Sequence, residues 1–304
     1  MSPRHILYAL IVTFLWGSNF IASKKGLEFF PPYLMLAIRF AGVGALMLPF
    51  YWRRTIRFSF ILKMAFVLGA VHFGLVFGAM AYGIDIPTAV ITVQLGVPFS
   101  CMLSAIFFND KLGPWRTFGL GIAFLGMILI AGSPNVVEHF WPFVMVMVGA
   151  FFWAMSNIYM KQAGKVKVME LVCWQSLLAA PMLLVFSLLV ESGHVEAMQT
   201  APLLAWGAIG FSAVLSTVVA YGLWYHLLTQ CDVSRIAPFN LLVPLFGIIA
   251  GQMFYPVPLD ARIIVGGAIT LLGVAIIVIR QPRIAEVFIR LATKGRKSKK
   301  AKGK

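Results

Sequence analysis

Long apolar segments follow one another along almost the whole chain. Ten of them approach or exceed the length that a helix needs to cross the hydrocarbon core of a bilayer, about 20 residues. They cover residues 6–23, 33–52, 61–83, 88–108, 115–131, 141–160, 168–190, 203–228, 235–255 and 261–280. Most connections between them are short, so consecutive helices are expected to be antiparallel. The pattern predicts an all-α integral membrane protein with ten transmembrane helices.

Composition supports the same class. Hydrophobic residues make up 61% of the 304 residues and charged residues 12%, with a mean hydropathy of +0.90. Soluble globular domains do not have this composition. Arg4 and His5 precede the first apolar segment as they would in a signal peptide, but a similar segment recurs in mid-chain. A retained first helix is therefore the simpler interpretation.

The two halves of the chain carry the same motifs in the same order. Residues 16–21 (WGSNFI) return as residues 153–158 (WAMSNI), and residues 119–130 (GLGIAFLGMILI) return as residues 266–277 (GGAITLLGVAII). Each half holds five segments, and five is odd, so the second half must enter the membrane from the opposite side. We predict two inverted five-helix repeats followed by a basic tail. The predicted divisions are residues 1–135, 136–280 and 281–304.

Inverted repeats are typical of secondary transporters, in which the substrate site lies near the bilayer midplane between the repeats. Polar side chains inside the apolar segments are therefore candidates for the cavity. Asn19 matches Asn157 between the repeats, and Gln94 matches Asn240. These amides could bind a polar substrate, or they could join helices by hydrogen bonds.

Two prolines occupy equivalent positions in the fourth and ninth segments. Pro98 and Pro244 each follow the matched amide by four residues. A proline within a helix removes a backbone donor and leaves the carbonyl four residues earlier without its partner. We expect kinks there, with free carbonyls at Gln94 and Asn240, and we assign the two prolines as hinges.

Arg39 and His72 are ionisable residues deep within apolar segments. Arg39 is expected about two turns into the second helix, where insertion of a charge costs about 2.5–3.5 kcal/mol. It could bind a substrate carboxylate or have a structural role, and the matching place in the other repeat holds Gln175. His72 could carry a proton or pack as a neutral side chain. Tyr82 and Trp174 are candidate cavity walls that would stack on a small solute.

Charge distribution predicts the topology. Most Lys and Arg residues fall on the side of the first residue, so both termini are expected in the cytoplasm. The net charge of +15 includes the segment KGRKSKK at residues 294–300. We interpret this tail as a topology signal that contacts anionic lipids rather than as a nucleic-acid-binding arm. The absence of organelle signals favours a bacterial plasma (inner) membrane.

The sequence offers little for catalysis or cofactors. The three cysteines, Cys101, Cys173 and Cys231, have no partner at metal-ligand spacing. No catalytic motif for a hydrolase, metalloprotease or nucleotide-binding enzyme is present. We expect no enzymatic activity, no cofactor and no metal site.

Several motifs together resemble one transporter family. They are WGSNF, the Arg39–Phe40 pair, VQLGVP, WAMSNIYMK, YGLW and APFNLLVP. In order and spacing they resemble the EamA family of the drug/metabolite transporter superfamily, and most closely its bacterial exporters of O-acetylserine and cysteine. The chain departs from that family after the ninth helix, where Tyr255 and Pro256 replace a common acidic residue.

The resemblance implies a ten-helix inner-membrane exporter of amino acids or related metabolites, and we expect it to work by alternating access. Because no Asp or Glu lies deep in a segment, coupling to a proton gradient would have to run through His72 or through the substrate itself. The resemblance places Gln94, Pro98, Asn240 and Pro244 at a cavity built from both halves. Two alternatives remain open. One is an exporter of drugs or other amphipathic compounds, and the other is a membrane protein without transport activity.

Overall fold

The computed structural model describes residues 2–110, 112–231 and 236–279, and over these residues every regular element is helical. Ten helices form the bundle, and we number them in chain order. They are α1 (Pro3–Leu27), α2 (Pro32–Tyr51), α3 (Phe58–Ala81), α4 (Ile86–Phe108), α5 (Pro114–Ala131), α6 (Phe140–Ala163), α7 (Val168–Val190), α8 (Leu203–Trp224, continuing helically to Gln230), α9 (Pro238–Phe254) and α10 (Ala261–Ile279).

The predicted fold class is confirmed. Nine of the helices in the described part of the chain are long and apolar enough to cross a membrane, and α9 is a shorter apolar helix. Two short helices, Pro134–Glu138 and His194–Thr200, lie in the connections before α6 and α8. The predicted basic tail and the first residue of the predicted ninth segment lie outside the described residues.

Helices α4 and α9 are interrupted at equivalent places. In α4 the segments Ile86–Val93 and Gly96–Phe108 are separated by a turn, and in α9 a 3₁₀ turn, Ala237–Leu241, precedes Leu242–Phe254. Pro98 and Pro244 are each the third residue of the second segment. Because N–H groups in the first turn of a helix have no intrahelical acceptor, proline fits there at little cost.

Our expectation of free carbonyls beside the prolines is wrong. The Val97 N–H donates to the Gln94 carbonyl at 3.1 Å. The Leu242 N–H is directed at the carbonyls of Phe239 and Asn240. An i→i+3 bond thus uses the Gln94 carbonyl, and the Leu242 N–H faces the Asn240 carbonyl, so neither is left open as it would be in an α-helix with proline in its middle.

Helices α3 and α8 share a second irregularity. Each contains a π-helical segment, Ala65–His72 in α3 and Phe211–Val219 in α8. Since π-helical turns are rare and often occur at functional sites, a pair at equivalent positions of two repeats is informative. The repeats thus share their local distortions as well as their sequence motifs.

The repeat-related helices α5 and α10 pack closely against each other. Cβ atoms added to Gly119 and Gly273 would lie 2.8 and 2.6 Å from the carbonyl oxygen of the other glycine, and Gly126 faces Gly266 in the same way. Because residue numbers rise in one helix as they fall in the other, the pair is antiparallel. This pairing places a pseudo-twofold axis between the two helices, as inverted repeats require.

Helices of the two halves interleave elsewhere in the bundle. Helix α1 packs on α8 and α9, and its counterpart α6 packs on α3 and α4. Helix α2 packs along α7. Each half therefore buries its apolar faces largely against the other half.

Two glutamates fix the position of α2: Glu170 on α7 and Glu191 directly after α7. The Glu191 carboxylate accepts hydrogen bonds from the backbone N–H groups of Tyr33 (2.9 Å) and Leu34 (3.1 Å) at the beginning of α2. The Glu170 carboxylate accepts hydrogen bonds from the backbone N–H groups of Thr55 and Ile56 in the loop after α2.

The two ends of the bundle are named after residues that lie there. The end at which α1 finishes is the Glu28 end, and the opposite end is the Asp110 end.

Candidate substrate site

A chain of buried hydrogen bonds connects α1, α8 and α2. The Ser212 hydroxyl donates to Asn19 Oδ1 at 2.6 Å, and the Thr217 hydroxyl donates to the Ser212 carbonyl at 2.8 Å. Thr217 Oγ1 in turn accepts from Arg39 Nη2 at 3.0 Å. All four residues are buried. The structure therefore joins two of the predicted site residues, Asn19 and Arg39, through hydroxyl groups of α8.

The π-helical segment of α8 makes this arrangement possible. The side chain of Thr217 bonds to the carbonyl five residues earlier, and the Trp16 indole N–H donates to the Ser216 carbonyl at 3.1 Å. These carbonyls serve as acceptors for side chains of the bundle interior. Sequence reasoning missed Ser212, Ser216 and Thr217, because it considered amides and charged groups but not hydroxyls. Their close spacing in an otherwise apolar helix was the available signal.

Arg39 is a buried cation with little hydrogen bonding. Its side chain is 2% exposed, and Nε and Nη1 have no hydrogen-bond partner. Three phenyl rings surround the guanidinium carbon, with centroids 5.6 Å (Phe40), 4.9 Å (Phe73) and 5.6 Å (Phe77) away. No carboxylate among the described residues pairs with it. Cation–π attraction is therefore its main electrostatic support in this conformation.

A narrow crevice runs beside Arg39 at the Glu28 end of the bundle. Helix α1 contributes Ala22, α2 contributes Met35 and Arg39, and α8 contributes Ala208, Ile209 and Ser212. The crevice is too narrow to hold a solute in this conformation. Access to Arg39 therefore requires separation of α8 from α1 and α2.

His72 of α3 lies next to Phe73, one of the rings that surround Arg39. Its Nδ1 is 2.9 Å from the Gly149 carbonyl, so the tautomer with a proton on Nδ1 donates to α6. The centroids of the His72 and Phe73 rings are 4.8 Å apart. Arg39 and His72 thus contact one shared aromatic ring, although no hydrogen bond joins them.

The two amides of the first predicted pair differ in their environment. Asn19 is buried and bonds to α8, whereas Asn157 is half-buried and donates from Nδ2 to the Ser100 hydroxyl of α4 at 3.2 Å. Both thus make helix-to-helix hydrogen bonds, the structural role considered from the sequence. A role in substrate binding stays a prediction for both.

The second pair and Gln175 are less well satisfied. Asn240 Oδ1 and Gln175 Oε1 are buried and have no hydrogen-bond partner. Gln94 is half-buried at the break in α4. A buried amide oxygen without a donor costs about 1–3 kcal/mol, so Asn240 and Gln175 are groups to which a substrate donor could bind.

The predicted aromatic walls lie at the two ends of the bundle. Tyr82 is 54% exposed at the Glu28 end of α3, so it does not enclose a cavity in this conformation. Trp174 lies toward the Asp110 end, where its indole N–H donates to the Tyr51 carbonyl at 3.0 Å. The structure therefore does not bring the two rings together.

At the Asp110 end, α6 is joined to the end of α4. Lys161 Nζ lies 2.9 Å from Asp110 Oδ2 and 3.1 Å from the Ser104 hydroxyl, and it lies 3.9 Å from the centroid of the Phe108 ring. The Ser104 hydroxyl also donates to Asp110 at 2.6 Å. These hydrogen bonds hold the pKa of Asp110 below its usual value. We call this cluster the Asp110 latch.

At the Glu28 end, α1 and α9, which are the repeat counterparts of α6 and α4, are joined by a different cluster. The Tyr255 hydroxyl donates to the Glu28 carboxylate, and Lys25 Nζ lies 2.6 Å from Glu28 Oε2. Partial burial raises the pKa of Glu28, but the hydrogen bonds from Lys25 and Tyr255 outweigh it and lower the pKa overall. We call this cluster the Glu28 latch. Tyr255, which replaces an acidic residue expected from the family resemblance, is therefore a hydrogen-bond donor to an acid on the partner helix.

The described residues contain no group of three or more His, Cys, Asp or Glu side chains arranged to hold a metal ion. Cys101, Cys173 and Cys231 are free thiols.

Comparison with protein families identifies this architecture. The model of the EamA-like transporter family matches the chain twice, over residues 3–132 and 140–279. The chain belongs to the EamA-like transporter family. Membership in this family makes it a multi-pass membrane transporter with a small-molecule substrate.

EamA relatives of similar length are known in several prokaryotes. Proteins named "Probable amino-acid metabolite efflux pump" in Salmonella typhimurium and Escherichia coli are 27% and 26% identical over 284 residues, which is 91% of this chain and 95% of each relative. An uncharacterized transporter of Bacillus subtilis is 25% identical, with 88% of this chain and 94% of the relative covered.

The EamA fold is also present among solved structures. One crystal structure aligns with a TM-score of 0.60 and 16% sequence identity, and the alignment covers 91% of this chain and 96% of the other. At this identity the match supports the fold alone.

Proposed function

We propose that this EamA transporter exports amino acids or related small metabolites across the bacterial plasma membrane. The main support is the near full-length similarity to two relatives named as amino-acid metabolite efflux pumps. The interior is compatible with such solutes, because Asn240, Gln175 and Arg39 hold buried polar atoms without partners. A polar solute could satisfy these atoms where an apolar compound could not.

We propose alternating access as the mechanism. Helices α4 and α9 are interrupted just before Pro98 and Pro244, and such interruptions are candidate hinges. The Asp110 latch and the Glu28 latch join repeat-equivalent helix pairs at opposite ends of the bundle. Opening one latch while the other stays closed would expose the interior to one side of the membrane at a time.

The orientation proposed from the distribution of basic residues places both termini in the cytoplasm. The Asp110 end would then face the cytoplasm and the Glu28 end the outside. In the same proposal, residues 1–135 and 136–280 are the two repeats and the tail from residue 281 contacts anionic lipids. The protein would perform no chemical step, bind no nucleic acid and need no cofactor.

Coupling to a proton gradient is proposed through His72. Its Nδ1 is occupied by the Gly149 carbonyl on the partner helix α6. Proton uptake at the other ring nitrogen would place a second positive charge beside the Phe73 ring that Arg39 also contacts. Such repulsion would favour separation of the helices that carry them.

The purified protein can be tested in proteoliposomes with labelled cysteine, O-acetylserine and a panel of other amino acids, with and without a proton gradient. We expect saturable uptake of one or more of these solutes, reduced at least tenfold by Asn240→Ala, with the variant still folded. The matched control is Gln252→Ala, because Gln252 lies on the same helix and donates to the Val257 carbonyl near its end. Uptake of drugs but of no amino acid by folded protein would instead support the amphipathic-compound alternative.

A further inference from the structure

Arg39 presents an unusual arrangement for a charge inside a membrane protein. Buried cations are normally paired with carboxylates or saturated with hydrogen bonds. Arg39 has five N–H groups, yet within the described part of the chain only Nη2 has an acceptor, the Thr217 hydroxyl. The nitrogens Nε and Nη1 are buried without any acceptor.

The neighbours of Arg39 hold the guanidinium without neutralising it. Phe40, Phe73 and Phe77 surround it with rings, which attract a cation but accept no conventional hydrogen bond. The Thr217 hydroxyl is neutral and is itself bound to the Ser212 carbonyl. The positive charge therefore has no counterion in these contacts, and most of the guanidinium N–H groups could still donate to a ligand.

The narrow crevice beside Arg39 marks where an anion could reach these donors once α8 separates from α1 and α2. Arg39 lines it together with the hydroxyl-bearing residue Ser212. The remaining lining residues, Ala22, Met35, Ala208 and Ile209, are apolar and would not compete for a carboxylate. A guanidinium in such surroundings binds a carboxylate strongly, because paired hydrogen bonds between the two ions offset the cost of removing each of them from water.

We propose that Arg39 binds the carboxylate of the transported solute when α8 moves away from α1 and α2. This assignment rests on the proposed export function and specifies its substrate class as solutes with a free carboxylate. The repeat counterpart of Arg39 is the neutral Gln175, so the second repeat supplies no equivalent guanidinium among the described residues. Arg39 lies nearer the Glu28 end, which is the exit side in the proposed orientation.

The alternative is that Arg39 only ties α2 to α8. The hydrogen bond to Thr217 supports such a tie and can be removed without removing the charge. Thr217→Val therefore separates the two roles. A structural tie predicts equal effects of Thr217→Val and Arg39→Gln, whereas a carboxylate site predicts that only the second alters the preference for anions.

The experiment measures ligand-induced thermal stabilisation of purified full-length protein in detergent. The probes are serine and cysteine against their methyl esters, and acetate and benzoate against acetamide and benzamide. We expect wild-type protein to prefer each acid over its neutral analogue by at least tenfold in apparent affinity. Arg39→Gln should abolish this preference, Arg39→Lys should weaken it, and Thr217→Val should retain it.

The outcomes separate this inference from the export function. If wild-type protein binds acids and neutral analogues equally, or if folded Arg39→Gln keeps the preference, Arg39 is not the carboxylate site, even when amino-acid transport is demonstrated. If the anions stabilise the protein through Arg39 but no amino acid is transported, the site stands and the amino-acid assignment fails. If Arg39→Gln does not fold, the wild-type preference and its change in Arg39→Lys decide the question.

Discussion

Single polar side chains in this bundle are held by very few partners. Among the described residues, Asn19 Oδ1 accepts one hydrogen bond, from the Ser212 hydroxyl, and the Arg39 guanidinium donates one, to the Thr217 hydroxyl. In a hydrocarbon environment a lost partner is not replaced by bulk water. Loss of either hydroxyl on α8 should therefore lower the stability of the protein, although only one oxygen atom is removed.

Ser212→Ala should destabilise the protein by about 1–3 kcal/mol, because it leaves the buried Asn19 Oδ1 without a donor. The matched control is Ser23→Ala. The Ser23 hydroxyl donates to the Asn19 backbone carbonyl, which the helix already provides with a donor. Unfolding of both variants in detergent, followed by tryptophan fluorescence, measures the difference. Equal stability of the two variants would contradict the prediction.

At the scale of helices, the closest contact is between α5 and α10. Glycines 119 and 126 of α5 face glycines 273 and 266 of α10, so the backbones approach without side chains between them. Such contacts are typical of membrane helices, which associate through close packing because lipid removes the hydrophobic driving force. This pair connects the two repeats at their pseudo-twofold axis.

Gly126→Ala should lower the stability markedly, by about 1–3 kcal/mol or more, because the new Cβ would lie 2.5 Å from the Gly266 carbonyl oxygen and 2.5 Å from the Thr270 nitrogen. Gly121→Ala on the same helix is the control, since nothing lies within 4 Å of its Cβ position. The yield of monodisperse protein and the unfolding temperature report the effect. A Gly126→Ala protein as stable as the control would show that α5 and α10 can separate freely.

At the scale of the whole molecule, the two latches join repeat-equivalent helix pairs with different chemistry. The Asp110 latch uses Lys161 and a carboxylate, and the Glu28 latch uses Tyr255 and a carboxylate on α1. Both carboxylates have pKa values below their usual range. Stabilisation of this kind is fully present above the ordinary pKa of about 4 and is lost as the pH falls through the lowered value.

Asp110→Asn should therefore weaken closure at the Asp110 end by the same factor at every pH between about 5.5 and 8, because the wild-type carboxylate stays charged throughout this range. Accessibility of a cysteine introduced at Ser100, measured by maleimide labelling in a background without native cysteines, reports the opening. Tyr255→Phe serves as the comparison, because it removes the hydrogen bond at the other end. An effect of Asp110→Asn that disappears at pH 6 would contradict this prediction.

The sequence determined the fold class to a large extent. Apolar length predicted the ten helices within a few residues, because a bilayer imposes its thickness on each helix. The matched prolines predicted irregularities at equivalent places in α4 and α9, whereas the packing of α5 on α10 came only from the structure. The sites of proline were predicted, but their effect was not: proline lies in the first turn of a helix segment, where no free carbonyl results.

The tertiary structure decided which polar groups meet. Periodicity along one chain cannot give the rotation of each helix against its neighbours, so nothing in the sequence indicated that Asn19 would bond to Ser212 or that Arg39 would bond to Thr217. The same limit applies to Glu28 and Tyr255, whose hydrogen bond joins residues 227 positions apart in the sequence. Helix length and orientation are local consequences of composition, whereas contacts between distant helices depend on how the two repeats pack together.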